Sequence, residues 1–221
     1  DEILKHSDSA MVARGDLGVE MPPEEVPIIQ KRIVQKCRDF GKPVVVATQM
    51  LDSMINSPSP TRAEASDVAS AVFDGADCLM LSAETAAGNF PVFSVEIMDR
   101  IIRNVENDIS YRQLLNSKPV KLEETTSDAI SSAASQVVKT VFAKAIFTYT
   151  RSGGTAKRAA RERPTVPIIG LSPERLTARQ LALIWGVHNI HALEPKSFSG
   201  MIENACELSK KEKIVKKGDY V

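Results

Sequence analysis

The stretch Ala10-Met11-Val12-Ala13-Arg14-Gly15-Asp16-Leu17-Gly18-Val19-Glu20 decides the fold. A short apolar run ends abruptly in a charged, glycine-bearing turn. Two further runs do the same: Val44-Val45-Val46-Ala47 leads into Thr48-Gln49, and Cys78-Leu79-Met80-Leu81 leads into Ser82-Ala83-Glu84. Between the runs lie amphipathic stretches. Residues 24–40 place Ile28, Ile29, Ile33, Val34 and Cys37 on one helical face, with Gly41 and Pro43 as stop signals. Thr61 followed three residues on by Glu64 is a capping box, which predicts a helix to about Phe73 with Gly75 past its end. Residues 91–106 carry the third apolar stripe. Strand, helix, strand, helix, strand, helix reads as consecutive βα units and a parallel sheet. Strands apolar throughout predict a sheet covered on both faces. Three units are a fragment of a (β/α)₈ barrel or part of an open doubly wound sheet.

The pattern weakens over residues 107–124, which read as a linker. A second α/β unit follows. Residues 126–142 form a helix of small residues, 145–149 a strand, 155–163 a short basic helix and 167–170 a strand. Residues 176–185 form a helix, Gly186-Val187 opens a further strand, and 198–211 are a last helix. The expected organisation is therefore 1–108 for the first domain, 109–124 for the linker and 125–221 for the second domain.

Composition narrows the functional classes. Lys plus Arg is 28 and Asp plus Glu is 28, a neutral balance that argues against a broad nucleic-acid-binding face. With 43% hydrophobic and 25% charged residues, the chain has globular rather than disordered usage. No apolar run approaches the ~18 residues of a membrane span, and nothing in these residues reads as a signal peptide. Cys37, Cys78 and Cys206 form no Cys-x-x-Cys pair and read as reduced, buried thiols of a cytoplasmic protein. His6, His188 and His191 have no ligand spacing and read as structural or exposed; Trp185 reads as core. The chain opens on Asp1 and closes on Gly218-Asp219-Tyr220-Val221, which reads as a sequence cut at both ends.

In parallel α/β architectures, reactive groups gather past the carboxyl ends of the strands. There Asp16 sits between Gly15 and Gly18, and a carboxylate beside exposed amides suits a hard divalent cation. Thr48 offers a hydroxyl and Glu84 an anion, each with a purely structural reading of its own. Between a strand and a helix start, Thr150, Arg151, Ser152, Gly153, Gly154 and Thr155 make a phosphate cradle, with Lys157, Arg158 and Arg161 nearby. The Walker pattern is not met.

The segments Met11 to Glu20, Ala47 to Met54, Pro60 to Glu64 and Met80 to Gly88, in this order and spacing, resemble the pyruvate kinase family. The resemblance implies the last three βα units of a TIM barrel followed by an α/β regulatory domain. It implies phosphoryl transfer from phosphoenolpyruvate to ADP, giving pyruvate and ATP in glycolysis. Asp16 becomes a ligand of Mg²⁺ or Mn²⁺, and Ala13, Arg14, Gly15, Asp16 and Thr48 bind substrate. Thr48 stands at the proton-delivery end, with Ser82 and Glu84 as its supporting shell. Residues 150–155 would hold the phosphate of a sugar-phosphate or nucleotide effector. The family's Lys-x-Glu metal motif and its K⁺ ligands would lie upstream of Asp1, so this chain alone is expected to have little activity. Arg62 would lie near a subunit contact of a homotetramer. Other readings are a non-catalytic sugar-phosphate-binding module and, more weakly, a lyase acting on pyruvate-like substrates. An open three-strand remnant is expected to expose apolar edges and aggregate.

Overall fold

The computed structural model describes residues 2–117, 125–195 and 197–221. The chain divides into two compact units, Asp1–Pro119 and Val120–Val221.

In the first unit a helical turn, α1 (Glu2–Lys5), precedes β1 (Ala10–Ala13), α2 (Arg14–Glu20), α3 (Val26–Asp39) and β2 (Val44–Ala47). Then come a 3₁₀ turn (Asp52–Ile55), α4 (Arg62–Asp74), β3 (Cys78–Met80), α5 (Ala83–Ala86), α6 (Pro91–Asn107) and α7 (Ile109–Ser117). The strands form a parallel sheet in the order β1-β2-β3, with Ala13 opposite Ala47 and Ala47 opposite Met80. The register aligns the three carboxyl ends. Val12, Val34, Cys37, Val44, Val46, Met54, Val68, Ala71 and Met98 form the core between sheet and helices. Each fully buried Val or Met there stabilises the fold by roughly 1.5–3 kcal/mol. Burial pushes the Cys37 thiol up to about 11, with the Asp77 charge adding to it, so this cysteine is an inert packing group.

The capping box on α4 is complete: Glu64 N–H donates to Thr61 Oγ1 at 3.2 Å and Thr61 N–H to Glu64 Oε2 at 2.7 Å. The helix stops at Gly75, which is left-handed (φ 98°), and a Cβ there would stand 3.1 Å from Arg38 Cδ.

Coverage of both sheet faces holds for β2 but not for β1. Val12 is buried whereas Met11, on the opposite face, is 52% exposed. Residues 109–117 also differ from the linker reading, since they form α7. Asp108 accepts from Ser110 N–H at 2.7 Å to start that helix. Tyr111 is 2% exposed, packed with Val72 and Val105 and edge-on to Phe73 at 5.9 Å. Residues 118–124, the rest of the expected linker, lie outside the described residues.

The second unit contains α8 (Thr126–Val141), β4 (Ile146–Tyr149), α9 (Gly154–Arg161), β5 (Ile168–Ser172), α10 (Arg175–Gln180), β6 (Val187–His191) and α11 (Phe198–Lys211). Its sheet is again parallel, in the order β4-β5-β6, and every residue of β5 is buried. The helix expected over residues 176–185 ends earlier, in a 3₁₀ turn at Leu181–Leu183. Trp185 lies beyond it and is only half-buried, with the Arg163 guanidinium 4.7 Å from its ring centre. A π-face that holds a cation cannot also be sealed in apolar core. Of the three thiols only Cys37 is buried; Cys78 is intermediate and Cys206 exposed on α11. The three histidines are exposed. Among the described residues no helix is long and apolar enough to cross a membrane.

Candidate active site

Directly after β2, Thr48 (φ 71°) and Gln49 (φ 54°) are left-handed. That conformation costs about 1–2 kcal/mol for each non-glycine residue, so surrounding contacts must enforce it. Arg14, the first residue of α2, supplies them. Its Nε and Nη2 donate to Thr48 O at 3.1 and 2.8 Å, and Nη2 also reaches Gln49 O at 2.8 Å and Met50 Sδ at 2.9 Å. Nη1 pairs with Asp67 on α4. The Arg14 side chain is 10% exposed. Charged donors in a part-buried setting make strong hydrogen bonds, and five guanidinium N–H groups in a fixed fork suit this many acceptors.

The turn delivers the Thr48 hydroxyl to the start of α2, just past β1. Thr48 Oγ1 accepts from Gly15 N–H at 2.8 Å and donates to Ala47 O at 2.6 Å. A Cβ on Gly15 would stand 3.5 Å from that oxygen. Ala13 ends β1 in an extended conformation (φ −84°, ψ 91°) immediately before α2. Asp16 is exposed in the first turn of α2, and among the described residues no hydrogen bond or ion pair engages its carboxylate.

Glu84 ties the third strand tip to the second. It is 2% exposed; Oε1 accepts Leu51 N–H at 3.1 Å and Oε2 accepts Ser82 N–H at 2.7 Å. Leu51 follows the left-handed turn, so Glu84 braces that turn from one side and Arg14 from the other. Glu64 extends the brace, accepting Ser53 N–H at 2.7 Å and Ser53 Oγ at 2.5 Å besides its Thr61 bonds. Burial alone would raise the Glu64 carboxyl; the hydrogen bonds from Ser53 and Thr61 outweigh it and hold the group below its ordinary value.

The structure thus brings Gly15, Arg14 and Thr48 into direct contact, and Ser82 with Glu84 into a second contact linked through Leu51. Arg14, expected to bind substrate, has its guanidinium engaged by Thr48, Gln49, Met50 and Asp67. Sequence reading missed Asp67 and Leu51. A strand-tip arginine needs an acidic partner, but 28 Asp and Glu residues compete for that place, and a backbone donor such as Leu51 N–H leaves no sequence signal.

In the second unit, Thr150 is buried and its N–H donates to Leu171 O at 2.9 Å. Arg151 O accepts from Thr177 Oγ1 at 2.6 Å. Gly153 is the left-handed N-cap of α9 (φ 84°), and Ser152 is exposed before it. Gly154 and Thr155 open the helix. Not all the expected positive charge serves this loop. Arg151 is paired with Glu194, Nε to Oε2 at 2.9 Å. Arg161, nearly two turns along α9, pairs with Asp128 on α8, which is 1% exposed. Arg158 stays close: its Nη1 would be 3.4 Å from a Cβ on Gly154.

Among the described residues there is no group of three or more His, Cys, Asp or Glu placed to hold a metal ion. At the strand tips, Asp16 offers an exposed carboxylate that no hydrogen bond or ion pair among the described residues engages. A single carboxylate fits a small hard cation that keeps its waters and takes further oxygens from a substrate.

Comparison with known proteins gives the same family for both units. The family model described as "Pyruvate kinase, barrel domain" matches residues 1–95, and "Pyruvate kinase, alpha/beta domain" matches residues 128–221. The chain is 51% identical over its whole length to a pyruvate kinase of Methylorubrum extorquens, covering 46% of that protein. It is 48% identical to one of Sporosarcina psychrophila, covering 38%. A crystal structure of a pyruvate kinase from Cryptosporidium parvum superposes with a TM-score of 0.92 at 42% identity, over 98% of this chain and 44% of that one. The chain therefore spans less than half the length of the relatives it matches.

Proposed function

The chain belongs to the pyruvate kinase family, and from that premise we propose that the first-unit strand tips are part of a site for phosphoryl transfer from phosphoenolpyruvate to ADP, giving pyruvate and ATP. The observation that carries this reading is the Thr48 Oγ1–Gly15 N–H bond of 2.8 Å. It locks the substrate-facing tips of two adjacent strands together beside the free carboxylate of Asp16.

Ala13, Gly15 and Asp16 line the place for the carboxylate of the three-carbon substrate where β1 passes into α2. The Gly15 N–H is held by Thr48 Oγ1, which leaves the Asp16 N–H, without an intrahelical partner in the first turn, as the donor to that carboxylate. Asp16 holds Mg²⁺ or Mn²⁺, which when bound spreads the charge of the transferring phosphoryl and of the enolate left behind. Thr48 stands at the enolate carbon. Its hydroxyl hydrogen now points to Ala47 O; rotation about the C–O bond lets it pass a proton from water to that carbon. Arg14, Ser82 and Glu84 shape the site without touching substrate. No residue here is assigned to K⁺, which the family resemblance also implies. Arg62, exposed on α4, is the residue we assign to a contact between subunits of a homotetramer.

Mn²⁺ titration of the ¹⁵N-labelled chain tests the site. Paramagnetic broadening is expected around Asp16 and Gly15 and is expected to vanish in Asp16→Asn; broadening centred elsewhere overturns the assignment. Coupled assay of phosphoenolpyruvate-dependent ATP formation is expected to give turnover near background for these 221 residues alone, because one carboxylate is a poor Mg²⁺ site.

A second reading concerns the other unit. The left-handed Gly153 cap with Arg158 folded back over Gly154 supports residues 150–155 as a phosphate-holding loop, which would make this unit a sugar-phosphate or nucleotide sensor. Titration with sugar phosphates is expected to shift the Ser152, Gly153 and Gly154 amides. Shifts there without any Mn²⁺ effect at Asp16 would favour a purely regulatory module.

A further inference from the structure

Arg14 and Asp67 form a clamp on the left-handed turn at Thr48–Gln49. We infer that Arg14 is a positioning residue, fixed by Asp67, whose guanidinium holds the turn so that Thr48 Oγ1 meets the Gly15 N–H. The geometry stands on the structure alone; its consequence for ligand binding rests on the reading of this site given above.

Three observations carry the inference. Two consecutive non-glycine residues occupy the left-handed region, and such backbone persists only when its surroundings over-determine it. Both of their carbonyl oxygens accept from one guanidinium, at 2.8–3.1 Å. The remaining arm of that guanidinium reaches Asp67, a residue 53 positions away on α4. The clamp therefore spans the first residue after β1, the turn after β2, and the helix that leads to β3. Every named contact of the guanidinium is to this chain: two backbone carbonyls, the Met50 sulfur and the Asp67 carboxylate. Supporting groups of this kind typically change affinity or activity 10–100-fold when removed. Lysine cannot replace arginine here, because a single ammonium point charge lacks the planar fork that reaches two carbonyls and a carboxylate at once.

The test uses the ¹⁵N-labelled 221-residue chain with Arg14→Met, Arg14→Lys and Asp67→Asn. Amide hydrogen exchange at Gly15 is expected to accelerate about tenfold in Arg14→Met and Asp67→Asn, the loss of one hydrogen bond of ordinary strength read through local opening, while Val12 and Val46 in the strands keep wild-type protection. Titration with pyruvate and Mg²⁺ is expected to shift the Gly15 and Asp16 signals in the wild type, with affinity reduced about 10–100-fold in Arg14→Met and not restored by Arg14→Lys. A merely structural role would lower Tm and raise exchange across the whole unit, leaving affinity per folded molecule unchanged. Wild-type exchange at Gly15 in a folded Arg14→Met overturns the proposal. Should Arg14→Met fail to fold, Asp67→Asn, at a partly exposed position, decides in its place. Absence of any pyruvate response in the wild type overturns the substrate reading instead, and Gly15 exchange then decides the clamp by itself.

Discussion

The two units share a topology and use buried charge differently. Each is a three-stranded parallel sheet with its middle strand most deeply covered. In the first, the buried polar groups converge on the strand tips: Arg14 grips the carbonyls after β2, Glu84 takes two backbone donors, and Asp16 is left exposed. In the second, the loop after β4 is shaped mostly by backbone, through Gly153 and the Thr177 bond to Arg151 O. The buried ion pair there, Asp128 with Arg161, seats the flank of α9 on α8 instead. Charge placed at strand tips shapes a site; charge placed between helices holds a fold. Removing the first should chiefly alter local geometry, and removing the second should chiefly cost stability.

The largest expected effect follows from the second unit. Asp128→Ala leaves Arg161, with its side chain 7% exposed, without its carboxylate. Breaking a buried pair by removing one partner costs about 3–5 kcal/mol. Trp185, the single tryptophan of the chain, lies in this unit, so its fluorescence during denaturant unfolding reads the loss. A second variant with Asp128→Leu and Arg161→Met together is expected to recover part of the stability, since apolar replacements of a buried pair are often neutral, while Arg158, 4.0 Å from Asp128, loses its partner in both variants. An unchanged midpoint in Asp128→Ala would erase the contrast between the units.

The next effect belongs to the first unit. Glu84→Gln keeps the shape of the side chain but turns an NH₂ toward one of two backbone donors, Leu51 N–H or Ser82 N–H. An unsatisfied buried donor costs about 1–3 kcal/mol. Hydrogen exchange at Leu51 and Ser82 should quicken while amides of β2 stay protected. Uniform acceleration across the unit would mean that Glu84 holds the fold rather than the strand tips.

Legibility followed the range of the interaction. The strand runs were readable because β1 and β2 are short, apolar and punctuated, and both begin and end where the pattern does. The α4 boundaries were readable because a capping box and a terminal glycine are local signals. The weak pattern over residues 109–117 hid α7, which is held by Tyr111 against residues far away in sequence. Trp185 was misplaced because its neighbour is Arg163, across β5, α10 and a 3₁₀ turn. At the site, residue types at strand tips pointed to Asp16, Thr48 and Glu84. The role of Arg14 was not legible, because it depends on φ at Thr48 and Gln49 and on a partner 53 residues away.

The smallest effects separate the units by pH. Glu64 is held below its ordinary value by Ser53 and Thr61 against the pull of burial. Its contribution is therefore full above the unfolded carboxyl value of about 4.3 and is lost as pH falls through the lower folded value. Glu64→Gln should be less stable than wild type at neutral pH and equal to it in strong acid. Glu162, at the end of α9, behaves oppositely. Burial raises it most, Arg161 opposes that, Asp128 adds to it, and Ser132 and Lys139 oppose it; the net shift is upward. Between about 4.3 and the raised value the folded state binds more protons than the unfolded one. Stability of the second unit therefore falls as pH rises through that window and is flat above it. Glu162→Gln removes the fall, so the variant should gain on wild type with rising pH when Trp185 fluorescence is followed across a pH series. Slopes of the same sign for Glu64 and Glu162 would show that the two carboxylates are held alike, against the contrast between a hydrogen-bonded strand-tip brace and a desolvated helix flank.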